Sequence, residues 1–286
     1  TGNNLPAPPA NNQTTLAQWM PADTIAYVEM RSTGANIDWL IKQELACASA
    51  ASGSDQALPS GLNIPGGMGS SSALFAQLLG TTPDTYFDFI GDAALGVTDQ
   101  NGSFGGGIVA TVDDQAVATQ RVNKLTSLLG LAGSFGGGSG ASGITTEQVQ
   151  HNGTTITVVH YTPPTGGSVP LPGAGTADLA IATTNGKLYL GTQDFVTAAL
   201  DQAAASSLGS SARYQKATSA APQANSGMLY LDVAALRDAR EASMTDQQKQ
   251  QYAQNVKPFL APLDTLSVVS HIDGDMVIIN GFLYVR

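Results

Sequence analysis

The sequence predicts an α+β fold in which a mostly antiparallel sheet, built from β-hairpins, packs with helices. Tight turns between β-rich runs, and helical segments between the hairpins, are the two observations that predict it. The turns are Asn101-Gly102, Asn152-Gly153, Asn185-Gly186 and Asp273-Gly274. Both central residues of a type I′ turn need positive φ, which Asn, Asp and Gly adopt most readily. We therefore expect positive φ at both Asn152 and Gly153.

Strands are predicted on both sides of each turn, where β-branched and aromatic residues are frequent. The predicted pairs are 93–100 with 103–112, 144–150 with 154–161, 178–184 with 187–191, and 266–272 with 276–285. Two further strands are predicted at 24–30 and 227–233.

Helices are predicted between the strands. After Asp113 and Asp114, apolar residues recur at helical spacing, and Gly130 is the expected end of this helix. Other predicted helices are 37–50, 193–205, 211–221, 234–242 and 246–260. The stretches 51–72, 133–143 and 163–175 are rich in Gly, Ser and Pro, and we expect irregular loops there.

The chain is predicted to consist of a Pro- and Asn-rich tether at residues 1–18 and a single α+β domain at 19–286. A strand–helix–hairpin order occurs twice, which suggests pseudo-repeated halves at 19–160 and 177–286. Independent convergence on the same pattern explains this order equally well.

Composition excludes several classes of protein. The chain has 286 residues, 42% of them apolar, which is enough for a sizeable core. Its 12 basic and 22 acidic residues give a net charge of −10, so nucleic acid is not an expected partner. A single Cys excludes a disulfide framework, and no apolar run is long enough to span a membrane.

The surface composition favours a location outside the cytoplasm. Only 12% of residues are charged, about half the usual share, and hydroxyl and amide side chains replace them. The sequence has neither an initiator Met nor a signal peptide, so we expect that a targeting or anchoring segment was removed upstream. We therefore expect an extracellular, periplasmic or cell-surface protein.

Five segments resemble motifs of a bacterial envelope family called domain of unknown function 3352. They are P-A-D-T-I-A-Y-V at 21–28, G-D-A-A-L-G-V at 91–97, N-G-T-T-I at 152–156, the strand–turn–strand–helix at 180–200, and Y-Q-K-A at 214–217. The resemblance covers residues 16–286 and departs in the Gly/Ser loops. It implies an envelope protein with an N-terminal signal or anchor. It implies no catalytic residue, because none is assigned to that family.

One acidic cluster is a candidate cation site. Asp84, Asp88 and Asp92 are spaced by four, so a helix that continued this far would place three carboxylates on one face for a cation such as calcium. The alternative is an acidic first helical turn followed by a solvated face. Asp273-Gly274-Asp275 has only a fragment of a calcium loop, and we interpret it as a hairpin turn.

The histidines and the cysteine predict no active centre. His151, His160 and His271 lack the i, i+4 spacing of a zinc site, and we expect them in turns or on sheet faces. Cys47 has no nearby basic residue to lower its pKa, so an inert buried thiol is expected.

Known cofactor and nucleophile motifs are missing or misplaced. The G-x-G-x-x-G match at 138–143 follows a helix and precedes a strand, the reverse of the dinucleotide-binding order. The sequence has no P-loop and no G-x-S-x-G nucleophile elbow. We therefore assign no catalytic, cofactor-binding or metal residue.

The function expected from the sequence is a non-enzymatic structural or assembly role at the cell envelope. The alternative is a binding module for a small ligand or envelope component in a cleft between the two strand–helix units. For assembly, the tether at 1–15 would clasp a neighbouring copy, and the apolar run 276–285 would pair with another chain if it lay at a sheet edge. A monomer is the competing expectation.

Overall fold

The computed structural model describes residues 10–13, 16–52, 80–82, 85–100, 103–135, 143–162, 177–202 and 206–286. The predicted fold class is confirmed: helices combine with antiparallel sheet. The chain divides into two compact units formed from separated stretches. The first contains Ser32–Gly91 and Thr111–Gln193, and the second contains Pro8–Arg31, Asp92–Ala110 and Asp194–Arg286. The pseudo-repeat stays a prediction.

Twelve strands and seven α-helices lie within these described ranges. The strands are β1 Asn12–Gln13, β2 Thr24–Met30, β3 Ile90–Gln100, β4 Ser103–Val112, β5 Gly143–His151, β6 Thr154–Thr162, β7 Ala177–Thr184, β8 Lys187–Gly191, β9 Ala224–Asn225, β10 Gly227–Asp232, β11 Leu263–Asp273 and β12 Met276–Val285. The helices are α1 Thr33–Ser52, α2 Gln115–Phe135, α3 Gln193–Leu200, α4 Ala212–Thr218, α5 Val233–Ala242, α6 Asp246–Asn255 and α7 Lys257–Leu260.

In the second unit the strand order is β12-β11-β10-β2-β3-β4. The first four of these pairings are antiparallel. Tyr230 of β10 lies opposite Tyr27 of β2 on one side and Ser267 of β11 on the other. A strand from near the start of the chain is thereby held between one from its C-terminal quarter and the 90–100 strand.

In the first unit the strand order is β8-β7-β6-β5, with antiparallel pairing throughout. Helix α2 packs against β5 and β7. Its first turn is attached to the β7–β8 turn, because the Gln115 side-chain oxygen accepts a 2.9 Å hydrogen bond from the Gly186 backbone N–H. Farther along the helix, the Thr119 and Thr183 hydroxyls lie 2.8 Å apart.

Two predicted type I′ turns are confirmed. Asn152 and Gly153 have φ of 48° and 81°, and Asn185 and Gly186 have φ of 51° and 67°. The turn after β11 differs from the prediction, since Asp273 pairs with Met276 and leaves Gly274 as the first central residue. Gly274 alone has positive φ there, at 58°, which is the type II′ arrangement. The predicted turn at 101–102 lies outside the described residues.

Several helix boundaries differ from those predicted. Helix α2 continues through Gly130 to Phe135, because one interior glycine costs a helix only about 1 kcal/mol. The predicted helix at 246–260 is divided into α6 and α7 at Val256. Pro258 has no N–H to continue the hydrogen-bond ladder, and it takes a position in the first turn of α7 instead.

The predicted loops at 51–72 and 133–143 are partly helical. Residues 51–52 complete α1, residues 133–135 complete α2, and Gly143 begins β5. Helix α3 ends at Leu200 and α4 spans seven residues, so both are shorter than predicted. The other residues of these two loops and the stretch 163–175 lie outside the described part of the chain.

Part of the predicted tether is attached to its own chain. β1 pairs with β9, placing Asn12 opposite Asn225. The Asn11 side chain donates a 2.7 Å hydrogen bond to the Ile272 carbonyl and accepts one of 2.8 Å from the Ile272 N–H. Residues 11–13 of the predicted tether therefore contact their own domain, and the contact of residues 1–15 with a neighbouring copy stays a prediction. Residues 1–9 and 14–15 lie outside the described ranges.

The Gly-rich part of β4 approaches backbone. A Cβ added at Gly106 would lie 2.9 Å from the Gly96 carbonyl oxygen of β3. Glycine inside a strand often marks the close approach of another backbone or side chain. At Gly106 the partner is the neighbouring strand.

Replacing Gly153 with Val tests the type I′ turn. A Cβ at Gly153 would meet nothing within 4 Å, so the penalty is conformational and about 1–2 kcal/mol. Gly281→Val is the matched control, because Gly281 also has open space but lacks positive φ. Thermal unfolding should show a lower melting temperature for Gly153→Val than for the control. Equal melting temperatures would contradict the turn.

Candidate functional site

Several strands of the second unit are apolar over most of their length. An antiparallel sheet with one face in water normally alternates apolar and polar residues, whereas strands covered on both faces are nearly continuous apolar runs. β12, with sequence MVIINGFLYV, contains no charged residue, and the charged residues of β2 and β10, Glu29 and Asp232, are buried. The side chains between them are aliphatic, so neither face of these strands has the polar residues typical of a face in water.

One face is covered by the unit's own helices. Tyr27, Tyr230, Ser267 and Val269 lie on it, each no more than 1% exposed. The Tyr214 ring of α4 meets those of Tyr27 and Tyr230 edge-on, with centroids 6.0 and 5.2 Å away. The Ser267 hydroxyl donates a 2.6 Å hydrogen bond to the carbonyl of Ala217, also in α4.

The opposite face carries the remaining apolar residues of the same strands. We call it the apolar face. Its members alternate with buried residues along β2, β3, β10 and β11, and with half-buried residues along β12. They are Ala26, Val28, Met30, Leu95, Val97, Leu229, Leu231, Leu266, Val268, Ile272, Val277, Ile279, Leu283 and Val285. Half of them are 36–68% exposed, and the others are half-buried.

The apolar face is large, and its charged residue, Asp99 of β3, lies at the margin. Five strands about 4.8 Å apart, with rows of five to nine residues at about 3.3 Å each, give a footprint of about 490 Å². Gly227, Ser270, Gly281 and Ala93 are the other polar or small residues within it. An exposed apolar patch of this size is typical of an interaction surface.

The apolar face ends at an edge strand. β12 is the terminal strand in the second unit's order, which is the condition stated above for its pairing with another chain. Ile279 is 68% exposed there. Natural edge strands are commonly protected by charges or proline, and β12 has neither. The edge therefore carries no sequence feature that opposes association.

A buried ionic cluster anchors β2 on the helix-covered side. Arg31 and Glu29 are each 1% exposed, and the Arg31 guanidinium lies 2.6 Å from the Glu29 carboxylate and 3.0 Å from Asp92 in β3. Tyr27 donates a 2.5 Å hydrogen bond to the other Glu29 oxygen. Burial raises the pKa of Tyr27 well above its usual range, and the Glu29 charge adds to this rise, so the phenol remains a donor.

The same arginine also holds the N-terminal segment. Its guanidinium donates to the Asn12 carbonyl at 3.3 Å, and to the Asn225 side-chain and backbone oxygens at 3.3 and 3.4 Å. Arg31 thus joins β1, β2, β3 and β9 through one planar group with several donors.

The acidic cluster predicted from sequence is not assembled on a helix. Asp88 lies in a turn and Asp92 in β3, because the strand begins at Ile90. Asp88 pairs with Arg121 at 2.6 Å, and Asp92 pairs with Arg31. The prediction that these carboxylates share one face of a helix is therefore wrong. Asp84 lies outside the described residues, and among those described no group of three or more His, Cys, Asp or Glu could hold a metal ion.

The histidines lie at a strand end or within strands, as predicted. His151 ends β5, and His271 lies in β11 with a ring nitrogen 3.5 Å from the Asn280 amide. His160 of β6 lies opposite Asp178 of β7, 2.8 Å from its carboxylate.

The other candidate motifs lie in or beside regular elements. Cys47 lies within α1, and its expected burial as an inert thiol stays a prediction, because its side chain is outside the described part of the chain. The G-x-G-x-x-G match does lie between a helix and a strand, with 138–142 outside the described ranges. Asp273-Gly274-Asp275 is a hairpin turn.

Reasoning from sequence missed the apolar face. The signal was available, since five predicted strands alternate poorly between apolar and polar residues. A local pattern assigns such a run to a strand but does not tell how many faces of that strand are covered.

Comparison with known proteins identifies a family whose function is unknown. The family model described as "Protein of unknown function (DUF3352)" matches residues 7–278. No curated protein and no solved structure matches the chain. In the part of the chain that the structure describes, no helix is both long and apolar enough to cross a membrane.

Replacing Arg31 with Met tests the buried cluster. Two carboxylates would lose their cation in a dry site, so the free energy of unfolding should fall by about 3–5 kcal/mol in urea denaturation. The exposed Arg240→Met is the control and should change it by less than about 0.5 kcal/mol. Arg31→Met combined with Glu29→Leu should regain part of the loss. A single variant as stable as the control would contradict the role of Arg31.

The His160–Asp178 pair predicts a measurable titration. The hydrogen bond that the His160 ring donates to the Asp178 carboxylate raises the pKa of His160 above 6.5, and the charges of Asp178 and Glu147 add to the rise. The pair therefore favours the folded state below about pH 6.5, and this contribution is lost as pH rises through the raised pKa. NMR titration should show that Asp178→Asn lowers the pKa of His160, while Asp194→Asn leaves it unchanged. An equal pKa in both variants would contradict the pairing.

Proposed function

The chain belongs to the DUF3352 family, whose function is unknown, and we propose that it is a non-enzymatic protein of the cell envelope that assembles with copies of itself. The observation that carries the proposal is the apolar face, which leaves large aliphatic side chains of five neighbouring strands in water. The proposed contact is face-to-face packing of this surface against the same surface of a second copy.

The size of the face supports a protein partner. Its planar footprint of about 490 Å² underestimates the accessible area, because side chains make the surface uneven. Stable interfaces bury about 800 Å² on each partner, so the face and a rim around it are sufficient. Two sheets packed about 10 Å apart would remove the aliphatic side chains of this face from water.

The chemistry of the face supports a second copy as that partner. Asp99, at the margin of the face in β3, is charged, but the residues of β10, β11 and β12 on the face are not, so two copies that meet over these three strands bury no unpaired charge. A two-fold contact places the same patch on both subunits, and a contact surface of aliphatic residues, glycine and serine on these strands is complementary to itself. An anionic membrane surface is a poorer partner, because the chain has a net charge of −10.

The envelope location rests on composition and on the family resemblance. A surface with few lysines and glutamates and many hydroxyl and amide groups is commoner outside the cytoplasm. Fractionation of cells that produce the natural full-length protein should recover it with envelope or extracellular markers. Recovery with cytosolic markers would contradict this part of the proposal.

A single charge on the apolar face should prevent association. Ile279→Asp places a carboxylate in the middle of the β12 row, and the dimer dissociation constant should rise about a hundredfold or more, because an unpaired buried charge is costly. Sedimentation velocity across a concentration series measures the change.

Phe259→Asp is the matched control. Phe259 of α7 is 77% exposed in the same unit and lies off the apolar face, so its variant should associate as the natural chain does. A natural chain that remains monomeric at high concentration would overturn self-association. Equal association of both variants would show that the apolar face is not the contact.

A further inference from the structure

A polar cavity of about 680 Å³ lies in the second unit, on the helix-covered side of the sheet. The 3₁₀ turns Leu16–Trp19 and Leu208–Ser210, helix α4, β1 and the loop at 221–223 surround it. Small-molecule sites usually have volumes of about 300–1,000 Å³, so this cavity can hold a ligand of several rings.

The walls of the cavity are held in place by the fold. The Leu208 N–H donates a 3.0 Å hydrogen bond to the Met20 carbonyl, which joins the two 3₁₀ turns. A Cβ at Gly209 would lie 3.2 Å from the Gln18 backbone nitrogen, so a glycine permits this close contact. Tyr214 is 6% exposed, and its hydroxyl lies 3.2 Å from the Met228 sulfur. The site is therefore formed before any ligand binds.

Amides and hydroxyls dominate the lining. Nine side chains of these two kinds line the cavity, and none of the described residues that line it is charged. Gln13, Gln18 and Gln223 are exposed there, and each carboxamide supplies both donors and an acceptor. A charged ligand would lose hydration with no opposite charge in return, so the lining favours a neutral one.

Apolar surface lies beside these polar groups. Ala17, Ala221, Pro222 and Met228 contribute to the same wall. A sugar ring combines hydroxyl groups, which both donate and accept, with a face of C–H groups. The amide and hydroxyl side chains of the cavity can bond the sugar hydroxyls, and its apolar wall can pack against the C–H face.

We infer that this cavity binds a neutral, hydroxyl-rich ligand of the sugar class, with the carboxamides of Gln18 and Gln223 as hydrogen-bonding groups. The inference does not depend on self-association, because the cavity lies on the opposite side of the sheet from the apolar face.

NMR titration of the full chain with maltotriose and, separately, with triacetylchitotriose tests the inference. At least one trisaccharide should shift the amide resonances of residues that line the cavity. Combined Gln18→Ala and Gln223→Ala should weaken binding about tenfold, since two neutral hydrogen bonds are lost. Gln247→Ala, exposed on α6 and outside the cavity, is the matched control and should bind as the natural chain does.

Three outcomes would overturn the inference. They are no binding of either trisaccharide at tens of millimolar, unchanged affinity in the double variant, and binding of triglycine in place of both sugars. Ala221→Trp supplies a second test, because the indole should obstruct the part of the cavity next to Gln223 and weaken binding without removing a polar group. Repeating the titration with Ile279→Asp separates this result from the oligomeric state, and the sugar affinity should be unchanged.

Discussion

The Arg31 guanidinium is the interaction on which the second unit depends. It is buried against the carboxylates of Glu29 and Asp92 and also bonds oxygens of Asn12 and Asn225. A buried arginine must have its donors satisfied, and here the partners come from four strands, with Asp92 and Asn225 lying 61 and 194 residues away in sequence. The hydrogen bonds of the Arg31 guanidinium therefore fix the positions of these four strands relative to one another.

This arrangement directs the polar chemistry to one side of the sheet. Glu29 and Tyr27 alternate with Val28 along β2, so a register that buries the ionic cluster must expose Val28 and Met30 on the other side. The same alternation applies to β10, in which Tyr230 is buried and Leu229 is exposed. The apolar face is thus a direct consequence of the register that places the arginine inside.

The two proposed surfaces follow from this division of the sheet. The helix-covered side has the tyrosines, the polar cavity and the N-terminal attachment, and the other side is aliphatic. A protein with this arrangement could associate through one side while a neutral ligand occupies the other. The two activities would then be independent, since they share no side chain.

Sequence reasoning predicted the parts of the fold that depend on local chemistry. Asn152-Gly153 and Asn185-Gly186 specify type I′ turns because few other residues tolerate positive φ twice in succession. Sequence reasoning failed where the local signal was weak, or where contacts between residues distant in sequence determined the structure. Gly130 did not end α2, and the spacing of Asp88 and Asp92 suggested a helix although a strand begins at Ile90.

By itself, the sequence determined the fold class, most strands and the absence of charge from β12, because these depend on turn chemistry, residue preference and composition. Only the tertiary structure decided that β2 lies between β10 and β3, that Asn11 attaches to Ile272 and that Arg31 reaches Asn225. These contacts join residues about 60 to 260 positions apart in the printed sequence. Pairing over such distances is selected by the burial of a whole register, and no local pattern along the chain encodes it.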